Sequence, residues 1–459
     1  MRFIWGPTYE EMLHPSKIDR ETRQATTALR EKDPLNWLNL YNICWRDASD
    51  QISYLVIPKE LTNIDTEIVA LVGRRFPSGS HKVGAAYSVT MEAQLAGQIE
   101  PGRDTLIFPS TGNYGIGGAW VGTRMGYDTL VLVPEQMSQE RFRLIESYGA
   151  RLIKTPGCES NIKEIYDKCN ELKRNPTNHV LNQFEAWANY RFHYYCTGNT
   201  AAELVRELAD KGIGKGSCSA FVSAMGSAGT IAAGDRLKQL FPETKLVGLE
   251  PEQCPILFNN GFGAHDIQGI GDKHVTWIHN VMNIDALLIL IDDIDCKRLL
   301  QVVTDPVGIE CLIHRCGVDE SIARALPSAL GISGGCNLVG CIKAAKYYNF
   351  GSGDAIITVL IDGVDRYGSV MERLRAEEGE LREAEAMERV HWLLHRAKPD
   401  LIQEGTVPNR QRWLNLKYFT WVEQQGKSVD ELRAQASQSW WRDQQDLVSV
   451  IDEHLKARR

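Results

Sequence analysis

Short apolar runs alternate with helix-length amphipathic segments through the middle of the chain. The runs Glu67–Val72, Thr105–Phe108, Thr129–Val133, Val180–Asn182, Ala220–Ser223, Leu246–Leu249, Leu287–Ile291 and Ala355–Ile361 predict strands. Segments between them, such as Ser138–Tyr148, Thr200–Lys211 and Thr230–Leu240, have the periodicity of helices. Strands alternating with helices predict βαβ units and a largely parallel sheet covered on both faces, with right-handed crossovers. Ligands of such sheets lie beyond the carboxyl ends of the strands, so the chemistry is expected in loops that follow strands.

The flanks read differently. Residues 1–55 and 368–459 are charged and helix-forming, yet they carry eight of the eleven tryptophans: Trp5, Trp37, Trp45, Trp392, Trp413, Trp421, Trp440 and Trp441. A solvated tail has little use for tryptophan, so both segments are expected to pack against something. The stretch 371–396, MERLRAEEGELREAEAMERVHWLLHR, predicts one long helix with an apolar seam and an exposed face of charge pairs. There is no internal repeat and no low-complexity linker.

Composition narrows the class. Of 459 residues 43% are apolar, enough for one large core or two, and ~150 residues per domain suggests two to four domains. No stretch approaches the ~20 consecutive apolar residues of a membrane helix, and the opening MRFIWGPTYEE lacks an export signal pattern. The net charge of −8 argues against nucleic acid as a partner. The expectation is a soluble cytoplasmic protein. Eleven cysteines, odd in number, run from Cys44 to Cys341 without a Cys-x-x-Cys pair. The pairs Cys311/Cys316 and Cys336/Cys341 are five apart, which is not zinc-ligand spacing, so reduced structural thiols and no metal are expected. HExxH, Walker A and a full G-x-G-x-x-G are absent.

Four segments rich in Gly, Ser, Thr or Asn stand out. PSGSHKVGAAY (77–87) opens into a helix with Lys82 near its start. A lysine packed there loses hydration and becomes a better nucleophile, which suits a Schiff base, although a surface lysine reads the same way. FPSTGNYGIGGAWVG (108–122) crowds Ser110, Thr111 and Asn113 at a helix N-terminus, an anion site or a plain strand-to-helix turn. FVSAMGSAGTIAAGDRLKQLF (221–241) places GSAGT before a helix, where a phosphate would be welcome. LGISGGCNLVGCIKAAK (330–346) holds Ser333 in a tight turn and is followed by a strand ending in IDGVDRYGSV (361–370).

In this order and spacing the segments resemble the fold-type-II pyridoxal-phosphate enzymes, the cysteine synthase and tryptophan synthase β group, and most nearly its cysteine synthase and cystathionine β-synthase branch. PSGSHK, STGNYG, GSAGT and GISGG stand where that branch has its lysine segment, its Thr-Ser-Gly-Asn loop, its Gly-Thr-Gly-Gly-Thr phosphate loop and its late Gly-Ile-Ser turn. NQF (182–184), GLEP (248–251) and IQGIGDKH (267–274) agree as well. The resemblance covers about residues 56–370. It implies an α/β fold of two doubly wound parallel-sheet subdomains with the cofactor between them. The small subdomain would be about 87–178 and the large one about 56–86 and 179–370, with helical extensions over 1–55 and 371–459.

The implied roles follow position by position. Lys82 would carry pyridoxal 5′-phosphate as a Schiff base and act as the base at Cα. Asn113 would hydrogen-bond the cofactor's 3′-oxygen, and Gly226, Ser227, Ala228, Gly229 and Thr230 would cradle the phosphate. Ser333 would face the pyridine nitrogen. Ser110, Thr111, Gly112, Tyr114 and Gln183 would hold the substrate. A neutral serine at the ring nitrogen stabilises no pyridinium, which disfavours a long-lived carbanion and favours prompt loss of a β-substituent. The departures are Val83 where the branch commonly has Asp, His81 as in the tryptophan synthase β branch, and Tyr114 in place of a small hydroxyl residue. A phenol there would reshape the pocket and could donate a proton.

The implied activity is that of a lyase or β-replacing synthase on a β-substituted amino acid, an activated serine or a cysteine derivative, through an α-aminoacrylate. A deaminase, a tryptophan-synthase-like β-replacement, and a catalytically inactive binding or scaffold subunit are the alternatives. The resemblance implies a homodimer. His265, His274 and His279, near the GIGDKH turn, are expected to bond locally, and Asp365 and Arg366 to pair with each other or with the backbone.

Overall fold

The computed structural model describes residues 3–110, 112–158, 161–284 and 287–459. Eleven strands run in chain order as β1 (Tyr54–Ile57), β2 (Glu67–Val72), β3 (Thr105–Pro109), β4 (Asp128–Pro134), β5 (Arg151–Thr155), β6 (Asn178–Val180), β7 (Ala220–Ala224), β8 (Lys245–Pro251), β9 (Leu287–Ile291), β10 (Ala355–Leu360) and β11 (Ile402–Glu404). They form a seven-stranded sheet in the order β1-β2-β10-β7-β8-β9-β11 and a four-stranded sheet in the order β5-β4-β3-β6. All pairings are parallel except β1 with β2 and β11 with β9, both at sheet edges. Strands β7 and β10 are buried along their whole length, which explains apolar sequences broken only by the small Ser223 and Thr358.

The eight predicted strands are present, with small shifts. The fourth of them, β6, runs over Asn178–Val180 instead of Val180–Asn182. Asn182 ends it early, because its side-chain oxygen accepts from Phe184 N at 3.1 Å and turns the chain. Strands β1, β5 and β11 have no counterpart among the predicted runs. Strand β5 is an edge strand whose Arg151 and Lys154 face solvent, so its apolar run is too broken to read.

The long helix expected over 371–396 is not one helix. It stops at Glu378, where Gly379 takes φ +89° and donates to Arg375 O at 2.8 Å, and restarts as Glu383–Val390 before a π-helical turn over His391–His395. Glycine just past a helix end is the usual stop signal, and it outweighs the charge-pair pattern on either side.

The tryptophan-rich flanks pack on the central part of the chain and on each other. Trp45, Trp413, Trp421 and Trp441 are buried, and each indole N–H has an acceptor: Thr197 Oγ1 at 3.0 Å, Leu257 O at 2.8 Å, Val275 O at 2.7 Å and Gln435 O at 2.9 Å. Trp37 and Trp392 depart from this and stay largely exposed. The carboxylate of Asp452, in the C-terminal helix Gln438–Arg458, accepts from Tyr9 N at 2.8 Å and Glu10 N at 2.9 Å and so caps the N-terminal helix Tyr9–Leu13. Lys417 is fully buried, donating to Trp277 O at 2.9 Å, His279 O at 2.6 Å and Gln435 Oε1 at 2.6 Å.

Candidate active site

The chemistry-bearing loops converge from both sheets. Lys82 opens the helix Lys82–Leu95 behind the small-residue turn that follows β2, and its backbone N–H donates to Ser80 Oγ at 3.4 Å. Its Nζ reaches Ser227 Oγ at 3.3 Å, in the loop after β7. Burial lowers the amine to about 8, against the attraction of the Asp272 carboxylate. A lysine in this state holds a substantial neutral fraction near physiological pH, as an imine-forming nucleophile must.

The loop 225–231 joins β7 to the helix Ala232–Leu240. Ala228 takes φ +59°, the left-handed conformation that turns successive backbone N–H groups towards one point. Ser227 Oγ also accepts from Asn189 Nδ2 at 3.1 Å and Gly229 N at 3.4 Å. A Cβ on Gly229 would collide with the Asn189 side chain, so a larger residue is excluded there. Thr230 Oγ1 lies 3.2 Å from His81 Nε2, and His81 in turn stacks on Trp45. His81 is buried and its pKa is lowered well below the usual value, so it is a neutral member of the cradle.

Ser333 is the second residue of the helix Ile332–Tyr348, after β9 and before β10 in the chain. Its hydroxyl is buried and has no hydrogen-bond partner among the described residues. An orphaned buried hydroxyl marks a missing acceptor or donor, and a pyridine nitrogen fits it. With the amine of Lys82 and the anion cradle of 226–230, the residues present fit pyridoxal phosphate.

Asn113 begins the helix Asn113–Arg124 after β3. Its Nδ2 donates to Asp362 Oδ2 at 2.6 Å, and its Oδ1 accepts from Arg141 Nη1 at 3.0 Å and from Arg366 Nη1. Ser110 Oγ accepts from Gly112 N at 2.9 Å and Gly115 N at 2.8 Å, so it caps this helix. Gly112 itself, at φ +156°, leaves room for the Arg141 guanidinium, which a Cβ would approach to 2.6 Å. Thr111 lies outside the described residues. Gln183 is tied to the phosphate cradle through Asn189, whose Nδ2 also donates to Gln183 O at 2.9 Å.

Tyr114 does not behave as a proton donor to a ligand. Its hydroxyl donates to Leu181 O at 3.0 Å, its ring packs edge-on to Phe108, and burial raises its pKa well above the usual value. Two of the three histidines bond locally, His265 Nε2 to Gly271 O at 3.1 Å and His274 Nδ1 to Asp272 O at 2.7 Å, with His274 Nε2 also 3.2 Å from Tyr166 OH, while Nε2 of the third, His279, is buried without a partner among the described residues. His279 is buried beside Lys417, and its pKa is lowered to about 3.

Asp365 and Arg366 do not pair with each other. Asp365 meets Arg74 at 3.2 Å, while Arg366 is buried, donating to Asn113 and to Ser78 O. Arg141, Asp362, Tyr367 and Asn189 were not picked out from the sequence. An ERFRL run reads as an ordinary surface helix, and only the fold turns Arg141 inward.

The family described as pyridoxal-phosphate dependent enzyme matches residues 67–295. A cysteine synthase from Staphylococcus aureus is 32% identical over 292 residues, 63% of this chain and 84% of the relative. Among solved structures, O-acetylserine sulfhydrylase isoform 3 from Entamoeba histolytica is 26% identical with a TM-score of 0.58, covering 74% of this chain and 92% of that one. The O-acetylserine-dependent cystathionine β-synthase from Helicobacter pylori is 26% identical with a TM-score of 0.56, covering 69% and 94%. The chain therefore belongs to the pyridoxal-phosphate-dependent enzymes, in their cysteine synthase and cystathionine β-synthase group.

Proposed function

We propose that this enzyme is a β-replacing synthase or lyase acting on an amino acid with a leaving group at Cβ, an activated serine or a cysteine derivative. The observation that carries the proposal is the buried Lys82 amine set against Ser227 of the 226–230 loop, in a chain whose Ser333 hydroxyl is buried without a partner among the described residues. When bound, pyridoxal phosphate supplies the electron sink that makes Cα–H acidic and lets the β-substituent leave. Lys82 binds it and then moves the proton at Cα, a role for which an amine near 8 is suited. Ser333, being neutral, leaves the ring nitrogen without a proton donor of carboxylic type and so favours elimination over transamination. Thr111, Gly112 and Gln183 bind the substrate α-carboxylate, with Ser110 fixing Gly112 by accepting its backbone N–H. Names among the similar proteins, a cysteine synthase and an O-acetylserine sulfhydrylase, support the same substrate class. The active unit is a cytoplasmic homodimer, testable by light scattering of the purified protein and by fractionation.

The decisive experiment is the visible spectrum of the purified protein with a panel of β-substituted amino acids, alongside Lys82→Ala. A coloured protein whose band changes with O-acetylserine or cysteine supports the reading. Turnover by Lys82→Ala at the wild-type rate would sink it.

A further inference from the structure

Arg141, Arg366 and Asp362 form a sealed charged cluster, each essentially inaccessible to solvent. It touches the segments that carry Lys82, Asn113 and Ser333, and the IQGIGD turn. Arg366 donates to Ser78 O, four residues before Lys82, and Arg141 Nε donates to Gln268 Oε1 at 2.9 Å in the IQGIGD turn. Asp362 abuts Gly331, two residues before Ser333. Tyr367 closes the cluster: its hydroxyl donates to Asp362 at 3.0 Å and receives Arg141 Nη2 at 2.9 Å.

The consequence falls on Asn113. A carboxamide has two acceptor lone pairs and two N–H donors. Both lone pairs are taken by guanidinium groups and one N–H by the Asp362 carboxylate, which leaves one N–H. The flipped amide would put its NH₂ against two cations and its oxygen against a carboxylate, so the orientation is fixed by three contacts at once. Two cations and one carboxylate also leave the cluster with one net positive charge.

We infer that Arg141, Arg366 and Asp362 are positioning residues that hold the remaining Asn113 N–H towards the 3′-oxygen of the bound cofactor and, through their net charge, set how readily the Lys82–cofactor linkage gives up its proton. The inference rests on the cofactor being carried by Lys82. Buried positive charge stabilises the anionic 3′-oxygen and disfavours a proton on the linked nitrogen. The other groups facing Lys82 are Asp272, His81 and His193, and those around the cluster are Arg74, Asp365, Tyr148 and Tyr367. None of them is altered by the substitutions below.

The test is a pH titration of the visible band of the cofactor-loaded protein, read without any substrate. Arg366→Met and Arg141→Met should each raise the midpoint by roughly one unit, and Asp362→Asn should lower it. Arg366→Lys, which keeps the charge, should stay nearer wild type. A purely structural role would move all variants in one direction or none, and either pattern overturns the inference while leaving the cofactor assignment intact. If the methionine variants do not fold, Asp362→Asn and Arg366→Lys decide it: an unchanged or raised midpoint in Asp362→Asn overturns it. A wild-type protein that takes up no pyridoxal phosphate overturns the cofactor assignment and this inference together.

Discussion

The amine of Lys82 is lowered to about 8 by burial, and this has a direct kinetic expression. Only the neutral amine attacks an aldehyde, so cofactor uptake by the apoprotein should rise with pH and level off above about 8, falling roughly tenfold per unit below it. Stopped-flow absorbance after mixing with pyridoxal phosphate measures this, and a flat profile between pH 6 and 8 would refute it. Glu250, in the GLEP segment, shows a second shifted group. Burial pushes its carboxyl up to about 7, even though it accepts from Leu257 N and Phe258 N. A raised carboxyl contributes stability that is full below the ordinary value near 4.5 and is lost as pH rises through about 7. Glu250→Gln should therefore flatten the stability profile across that window by about 1–3 kcal/mol. Urea midpoints at pH 5 and pH 8 would check it.

At the level of elements, parallel central strands are the easiest to read, because burial on both faces leaves runs such as Ile356–Leu360 apolar but for Thr358, whose hydroxyl donates to Val222 O. Edge strands are not, since β5 mixes solvent-facing Arg151 and Lys154 with half-buried neighbours. The glycine-rich loops are equally legible: each local turn is dictated by small residues, after a strand in three cases and after the helix Glu320–Ala329 in the fourth. What stayed hidden is side-chain direction across long sequence separations. Arg366 lies 253 residues from Asn113, and nothing local in DGVDRY says that its guanidinium turns inward. The break in the 371–396 segment was legible in principle from Gly379, but the charge-pair pattern concealed it. Gly379→Ala should destabilise by about 1 kcal/mol, because alanine is disfavoured at φ +89°. An unchanged melting temperature would argue against that role.

The whole molecule is clamped by its flanks. Lys417, on the C-terminal extension, is a buried ammonium held by three neutral acceptors, between the rings of Trp277 and Trp441. Lys417→Met orphans all three acceptors and should destabilise by about 2–4 kcal/mol, with a red shift of tryptophan emission. Retained stability would show that the extension is held by its tryptophans alone. Trp421 of the same extension donates to Val275 O and packs on His274, so the clamp reaches the turn beside Asp272. The capping of Tyr9 by Asp452 spans 443 residues of chain. The helix Tyr9–Leu13 is thus anchored twice over: Pro7 O and the Tyr9 hydroxyl are held by Tyr87 and Glu92, but its first two N–H groups stay uncapped until the helix Gln438–Arg458 docks.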